Sequence, residues 1–213
     1  MFIRLSMVEI SRIYKIGTRR FGLINLTGMW TLYKKETLRF LIVWVQTLFS
    51  PLISSLLFLL VLSLAIGSDR GSVLGVSFIN FLAPGLISMQ IMQQSFSHSS
   101  SSFMIGKIQG NIVDILYAPL SAGEITTAIT LASVTRSVMI AIISIIIFYF
   151  LIDLSIKNYF TLVMFTFLSS FILGAVGIIA GLWAEKFDHM ATVTNFVIVP
   201  LSFLSGTFYS IER

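Results

Sequence analysis

The sequence contains no cysteine, which excludes disulfide bonds, thiolate metal sites and cysteine nucleophiles from the printed chain. Histidine is nearly as scarce, since His98 and His189 are the only imidazoles. His98 has no second histidine and no acidic residue close to it in the sequence that would complete a metal site. We therefore predict neither a metal site nor a catalytic residue in this chain.

Charge is also scarce, because only 11% of the 213 residues are charged while 56% are hydrophobic. Soluble domains carry about 25% charged residues, so this composition indicates an integral membrane protein. Several apolar runs reach the roughly 20 residues that a helix needs to cross the hydrocarbon of a bilayer. The runs are too long for the alternating strands of an outer-membrane barrel. The expected fold is all-α, a polytopic transmembrane helical bundle.

Five runs are predicted to be spans, separated by short polar segments. They cover residues 40–66, 78–104, 126–152, 159–184 and 190–205. Pro51 lies inside the first run, where a membrane helix tolerates a kink if neighbouring groups satisfy the freed carbonyl. Gly174, Gly177 and Gly181 fall on nearly one face of the fourth run, a spacing that favours close helix packing.

Basic residues concentrate before the first span and account for much of the net charge of +5. They are Arg4, Arg12, Lys15, Arg19, Arg20, Lys34, Lys35 and Arg39. Membrane orientation explains this cluster more simply than nucleic acid does, and it places the N-terminus in the cytoplasm. Large apolar and basic side chains mix between residues 23 and 36, as in an amphipathic helix that lies in the membrane interface. Asn25 or Thr27 could cap the start of that helix.

The second predicted span carries an unusual polar face. Gln90, Gln93, Gln94 and Ser97 lie at positions i, i+3, i+4 and i+7, so they share one side of a helix that must face protein or water. The face fits either a transport pathway or hydrogen bonds between helices. Arg136 lies inside the third span, where a charge is expensive and needs a partner or a wet cavity. The sequence names no partner for it.

The stretch from Phe103 to Ile125 is too polar to cross a membrane and too apolar for an ordinary loop. Ile112, Ile115 and Leu116 fall at helical spacing and predict one apolar side about a turn long. Pro119 should end this short helix, because proline disfavours helix at the residue before it. Two interpretations stay open: the helix rests among lipid headgroups, or it contacts a partner protein.

Several segments in a fixed order resemble the permease subunits of bacterial ATP-binding-cassette exporters of the second type. The matching segments are Tyr33-Lys34-Lys35-Glu36 with Arg39-Phe40, Trp44-Val45-Gln46-Thr47-Leu48 followed by Pro51, Phe81-Leu82-Ala83-Pro84-Gly85-Leu86-Ile87, Asn111-Ile112-Val113-Asp114 with Ala118-Pro119-Leu120, and residues 200–210. Each segment is weak alone, but the ordered set extends from about residue 30 to the last printed residue.

The resemblance implies a subunit with six spans, of which five are visible. Residues 1–21 are then a basic cytoplasmic extension, and residues 22–213 are a transmembrane domain that ends before the last span. The resemblance further implies a permease homodimer in the bacterial inner membrane and a nucleotide-binding partner that uses ATP and magnesium to export an amphiphile. The family's motor-coupling helix corresponds to Asn111, Ile112, Val113, Asp114, Ile115 and Leu116.

Two other classes of function remain as alternatives. An ion-coupled secondary transporter usually shows internal repeats and membrane-embedded acids, and neither is visible in the sequence. A lipid or glycosyl transferase needs an acid-base or metal constellation. Its candidate residues are scattered without a recognisable spacing: His98, Asp114, Glu124, Glu185, Asp188 and His189. No phosphate-binding loop of the Gly-x-x-x-x-Gly-Lys-Ser/Thr type occurs in the sequence, which favours a motor on another polypeptide.

Overall fold

The computed structural model describes residues 24–66, 76–152 and 158–204. The secondary-structure elements in these ranges are helices, which confirms the all-α fold. They are α1 (Leu26–Ile42), a π-helical turn (Val45–Phe49), α2 (Ser50–Ile66), α3 (Phe78–Ile108), α4 (Ile112–Tyr117), α5 (Ala122–Ile152), α6 (Tyr159–Trp183), α7 (Phe187–Val193), a second π-helical turn (Thr194–Ile198) and α8 (Val199–Leu204). The predicted extension 1–21 and the segment after residue 204 lie outside the described residues.

The helices form the predicted polytopic bundle. Four described helical runs are long and apolar enough to cross a membrane: Val45–Leu64, Ala122–Ile152, Tyr159–Trp183 and Phe187–Leu204. The remaining predicted span corresponds to α3, which has 31 residues and ample length. Its second half carries the glutamines, His98 and the serines, so it is less apolar than the others. The last run begins at Phe187 rather than at residue 190, so Asp188 and His189 lie in its first turn.

Both π-helical turns precede a proline by the same interval. The first turn ends at Phe49 before Pro51, and the second ends at Ile198 before Pro200. Proline lacks a backbone donor and its ring clashes with the preceding turn of an α-helix. The wider π turn makes room for the ring. The Thr47 hydroxyl donates to the carbonyl oxygens of Phe40 and Val43, both 3.0 Å away, where α1 passes into the first turn.

Helix α3 lies at the centre of the bundle and packs against α2, α5 and α6. One apolar cluster joins Leu82 and Leu86 of α3 to Leu59 of α2 and Phe148 of α5. Helix α1 does not extend away from the bundle but packs along α5. Leu32, Glu36 and Phe40 form its buried stripe. The elements before and after α4 therefore belong to one packed unit.

The predicted glycine face of α6 is the contact with α3. A Cβ added to Gly177 would lie 2.5 Å from the carbonyl oxygen of Phe96, and one added to Gly181 would lie 2.7 Å from that of Ser100. A Cβ added to Gly174 would lie closest to the hydroxyl oxygen of Ser133 on α5 and 3.2 Å from that of Ser95. The Ser95 hydroxyl also donates to the Ser133 hydroxyl and to the carbonyl of Ser170. Small residues thus let the two backbones approach, as the spacing indicated.

We expect Gly177→Ala to destabilise the bundle, because the new methyl group meets a backbone carbonyl that cannot move independently. Overpacking of this kind costs about 1–3 kcal/mol. Thermal unfolding of the detergent-solubilised protein should show a lower midpoint for G177A than for the wild type. The matched control is Gly123→Ala in α5, where an added Cβ meets nothing within 4 Å. Equal midpoints for the two variants would contradict the close α3–α6 contact.

Candidate functional site

Helix α4 occupies the position that the sequence predicted for a short helix. Gly110 has a φ of 76° and turns the chain from α3 into α4, a conformation that favours glycine. The helix ends at Tyr117, and Ala118 is extended before Pro119. The expected stop before the proline is therefore confirmed.

One side of α4 is seated in the bundle and the other is exposed. Ile115 is buried, and Ile112 packs beside it, in a cluster with Leu32 of α1, Phe103 of α3 and Ile125 of α5. Two of the predicted coupling residues, Asn111 and Asp114, are exposed polar residues. The seated side therefore fixes α4 to three longer helices.

Apolar residues are also exposed on α4. Val113, Leu116 and Tyr117 are 47%, 65% and 85% exposed, and we call these residues the outer face of α4. The sequence analysis placed Leu116 on one apolar side with Ile112 and Ile115. The structure packs only Ile112 and Ile115 into the bundle, and Leu116, which is about 100° from Ile115 around the helix, is exposed at the edge of that side.

The carboxylate of Glu124 joins the starts of two helices, α1 and α5. Its Oε1 accepts a hydrogen bond from the backbone N–H of Asn25 at 2.5 Å, and its Oε2 accepts one from the backbone N–H of Ser121 at 2.7 Å. The Ser121 hydroxyl accepts in return from the Glu124 N–H at 3.4 Å, which completes a capping box at the start of α5. We call Asn25, Pro119, Ser121 and Glu124 the helix-end clamp.

Asn25 supplies the other half of the clamp. Its side-chain oxygen accepts from the Gly28 N–H at 2.9 Å, so it caps α1 as predicted. Its side-chain nitrogen donates to the carbonyl of Pro119 at 3.2 Å. The start of α1, the chain just after α4 and the start of α5 are thereby tied together. Glu124, one of the scattered acidic residues in the sequence, thus bonds backbone groups at helix ends.

The polar face of α3 is half-buried. Gln90, Gln93, Gln94 and Ser97 are all of intermediate exposure. Gln94 is the partner that the sequence could not name, since its Oε1 accepts from Arg136 Nη2 at 2.5 Å. A cavity of about 580 Å³ between α3, α5 and α6 includes none of these four residues in its lining. A pathway along the face remains a prediction.

Sequence analysis missed the acidic residue closest to this polar region. Glu36 is 2% exposed, and its Oε2 lies 3.0 Å from Arg39 Nη2 and 3.9 Å from His98 Nε2. Glu36 follows Lys34 and Lys35, both exposed, and this local pattern is typical of a solvent-exposed charge. Helical spacing could have indicated that Glu36 is buried, because Leu32, Glu36 and Phe40 lie four residues apart on one stripe of α1.

Lys107, at the end of α3, binds the end of α6. Its ammonium group donates to the carbonyl oxygens of Gly181 and Ala184, both at 3.0 Å, and to that of Leu182. The last carbonyls of a helix have no partners within the helix, and a cation there is favourable. Lys107 therefore holds the ends of α3 and α6 together on the side of the bundle where α4 lies.

Comparison with known proteins gives a consistent result. The sequence model of the family described as "ABC-2 type transporter" matches residues 27–213. The chain is 31% identical over 181 residues to the "Inner membrane transport permease YadH" of Escherichia coli (strain K12), which covers 85% of this chain and 71% of that relative. Proteins of the same name from Escherichia coli O157:H7 and Shigella flexneri match equally well. No solved structure matches the chain.

The clamp predicts the effect of Glu124→Gln. A carboxylate offers two acceptor oxygens, whereas the amide offers one and turns its NH₂ towards the second backbone donor. One buried N–H then loses its partner, at a cost of about 1–3 kcal/mol. Amide hydrogen exchange should become faster in the first turn of α1 and around Ser121. The control is Glu185→Gln at an exposed position, and unchanged protection in E124Q would show that the clamp does not hold these ends.

Proposed function

The chain belongs to the ABC-2 type transporter family and is therefore a membrane-spanning permease subunit of a transporter. From this premise we propose that a separate nucleotide-binding chain, which binds ATP and magnesium, drives it as an exporter. The sequence supports this division of labour because it carries no phosphate-binding loop of the Gly-x-x-x-x-Gly-Lys-Ser/Thr type. The partner chain then hydrolyses ATP, and this chain forms the passage across the membrane.

The outer face of α4 is the observation that carries the proposal. It places two large, largely exposed side chains, Leu116 and Tyr117, beside exposed Asp114 on a helix only six residues long. An aromatic ring, an aliphatic side chain and a nearby charge together are typical of a protein contact, where apolar anchors are surrounded by polar groups. We assign Asn111 to Leu116, extended by Tyr117, to the contact with the motor.

The helix-end clamp links the proposed motor contact on α4 to the rest of the bundle. Helix α4 is seated on α1, α3 and α5 through Ile112 and Ile115. The clamp adds hydrogen bonds from Asn25 and Glu124 around the chain just after α4. A displacement of α4 therefore acts directly on α1 and α5, and through them on the rest of the bundle.

The remaining parts of the proposal concern the cargo, the assembly and the orientation. An amphiphile is the proposed cargo, and the mostly apolar cavity between α3, α5 and α6 supports it, since polar residues such as Asn80, Ser88 and Thr161 interrupt its apolar lining.

A permease homodimer with the N-terminus in the cytoplasm of a bacterial inner membrane is the proposed assembly. The relative named as an inner membrane permease and the basic residues before the first span support this location and orientation.

We expect Leu116→Ser to weaken binding of the nucleotide-binding chain, because it removes an apolar anchor while leaving the seated side of α4 unchanged. Loss of one buried leucine at an interface costs about 1.5–3 kcal/mol, or roughly tenfold or more in affinity. The measurement is co-purification of the two chains from membranes that contain both, followed by their ATPase rate in lipid.

The control for this experiment is Leu151→Ser at the far end of α5, which is 61% exposed against 65% for Leu116. L151S should co-purify with the motor and stimulate hydrolysis as the wild type does. If L116S behaved like L151S while an Asp114→Lys variant also bound normally, α4 would be an interfacial helix without a motor contact.

A further inference from the structure

A polar cavity of about 350 Å³ lies between α1, the first π-helical turn, α3 and α5. Its lining includes Arg39, Thr47, Gln94, His98, Ser101 and Arg136. It is separate from the larger apolar cavity and from the outer face of α4. Two guanidinium groups beside one cavity within a largely apolar bundle require compensation.

The described residues compensate one guanidinium group and leave the other uncompensated. Glu36 pairs with Arg39 at 3.0 Å, and its second neighbour is the His98 ring at 3.9 Å. Arg136 is only 9% exposed. Among the described residues, its side-chain hydrogen bond is to the neutral amide of Gln94. Within the described ranges, no carboxylate forms an ion pair with Arg136. The cavity therefore carries an excess positive charge in surroundings where an unpaired charge is destabilising.

Unused hydrogen-bond donors accompany this charge. The Nε atoms of Arg39 and Arg136 and both ring nitrogens of His98 are buried without a hydrogen-bond partner among the described residues. His98 is only 1% exposed. Buried polar groups are ordinarily satisfied. The two charged Nε–H groups, with the one N–H that a neutral imidazole carries, indicate a ligand that accepts several hydrogen bonds and carries negative charge. Glu36 Oε2 also lacks a hydrogen bond, but its charge is paired with Arg39.

We propose that this cavity binds a phosphate group, either as free phosphate or as the head of an anionic lipid. The guanidinium fork matches phosphate oxygens in a two-pronged geometry. The partnerless donors are the Nε–H groups of Arg39 and Arg136 and the His98 ring, since the hydroxyls of Thr47 and Ser101 already donate to backbone carbonyls. Val43 lines the cavity and is 46% exposed, so the cavity lies next to apolar surface that suits a lipid chain. This site does not depend on the proposed motor contact.

The test is thermal unfolding of the purified full chain in detergent, followed by tryptophan fluorescence. Inorganic phosphate and phosphatidic acid are added separately, with diacylglycerol as the lipid that lacks the phosphate. We expect one of the two phosphates to raise the unfolding midpoint: free phosphate if the ligand is soluble, phosphatidic acid alone if it is a lipid head. Oleate is added as a lipid whose anionic group is a carboxylate. No rise in the midpoint with either phosphate compound, or an equal rise with diacylglycerol or oleate, would overturn the proposal.

Arg136→Gln should abolish this rise and weaken the apparent affinity by about tenfold or more, the effect of losing a charged hydrogen bond. Without ligand, R136Q should unfold no earlier than the wild type, because it removes an uncompensated charge. The control is Lys186→Gln at an exposed position, which should keep the full rise. If R136Q does not fold, Arg136→Lys keeps the charge but loses the fork, so its rise should shrink. An undiminished rise in either Arg136 variant would refute the site.

Discussion

The carboxylate of Glu124 is the interaction on which the arrangement of the short helix α4 depends. Without it, the backbone donors of Asn25 and Ser121 would lose their charged acceptor, and the hydrogen bond from the Asn25 N–H to α5 would be lost. Charge-assisted bonds to backbone N–H groups are among the stronger hydrogen bonds in proteins. A six-residue helix is too short to be stable alone in water, so α4 depends on this clamp and on its seat at Ile115.

The same requirement, that helix ends must find partners, explains other polar residues in the bundle. Lys107 satisfies the last carbonyls of α6, and Thr47 satisfies carbonyls where α1 passes into the first π-helical turn. In hydrocarbon there is no water to substitute for such partners. Lys107 and Thr47, which look misplaced in an apolar sequence, are therefore explained by the ends of helices, whereas the glutamines of α3 and Arg136 lie within helices.

Local pattern predicted much of the fold, and its failures share one cause. The length of the apolar runs predicted the all-α bundle, and Pro119 predicted the end of α4. The spacing of the glycines predicted the close packing that the α3–α6 contact shows. The burial of Glu36 and the exposure of Leu116 were not predicted, because which side of a helix is buried depends on neighbours far away in the sequence. Arg136 and Gln94 are 42 residues apart, and no local rule joins them. The proposed coupling residues come from the resemblance, whereas the seated and exposed sides of α4 are known only from packing.

Helix α1 connects the clamp to the phosphate cavity. Asn25 caps its first turn, and Glu36 and Arg39 lie in its last two turns, about 20 Å away at 1.5 Å per residue. Between them the buried stripe through Leu32 packs α1 against α5. Helix α5 contributes to both ends, with Glu124 at the clamp and Arg136 at the cavity. The seat of α4 and the phosphate cavity therefore both depend on the same contact between α1 and α5.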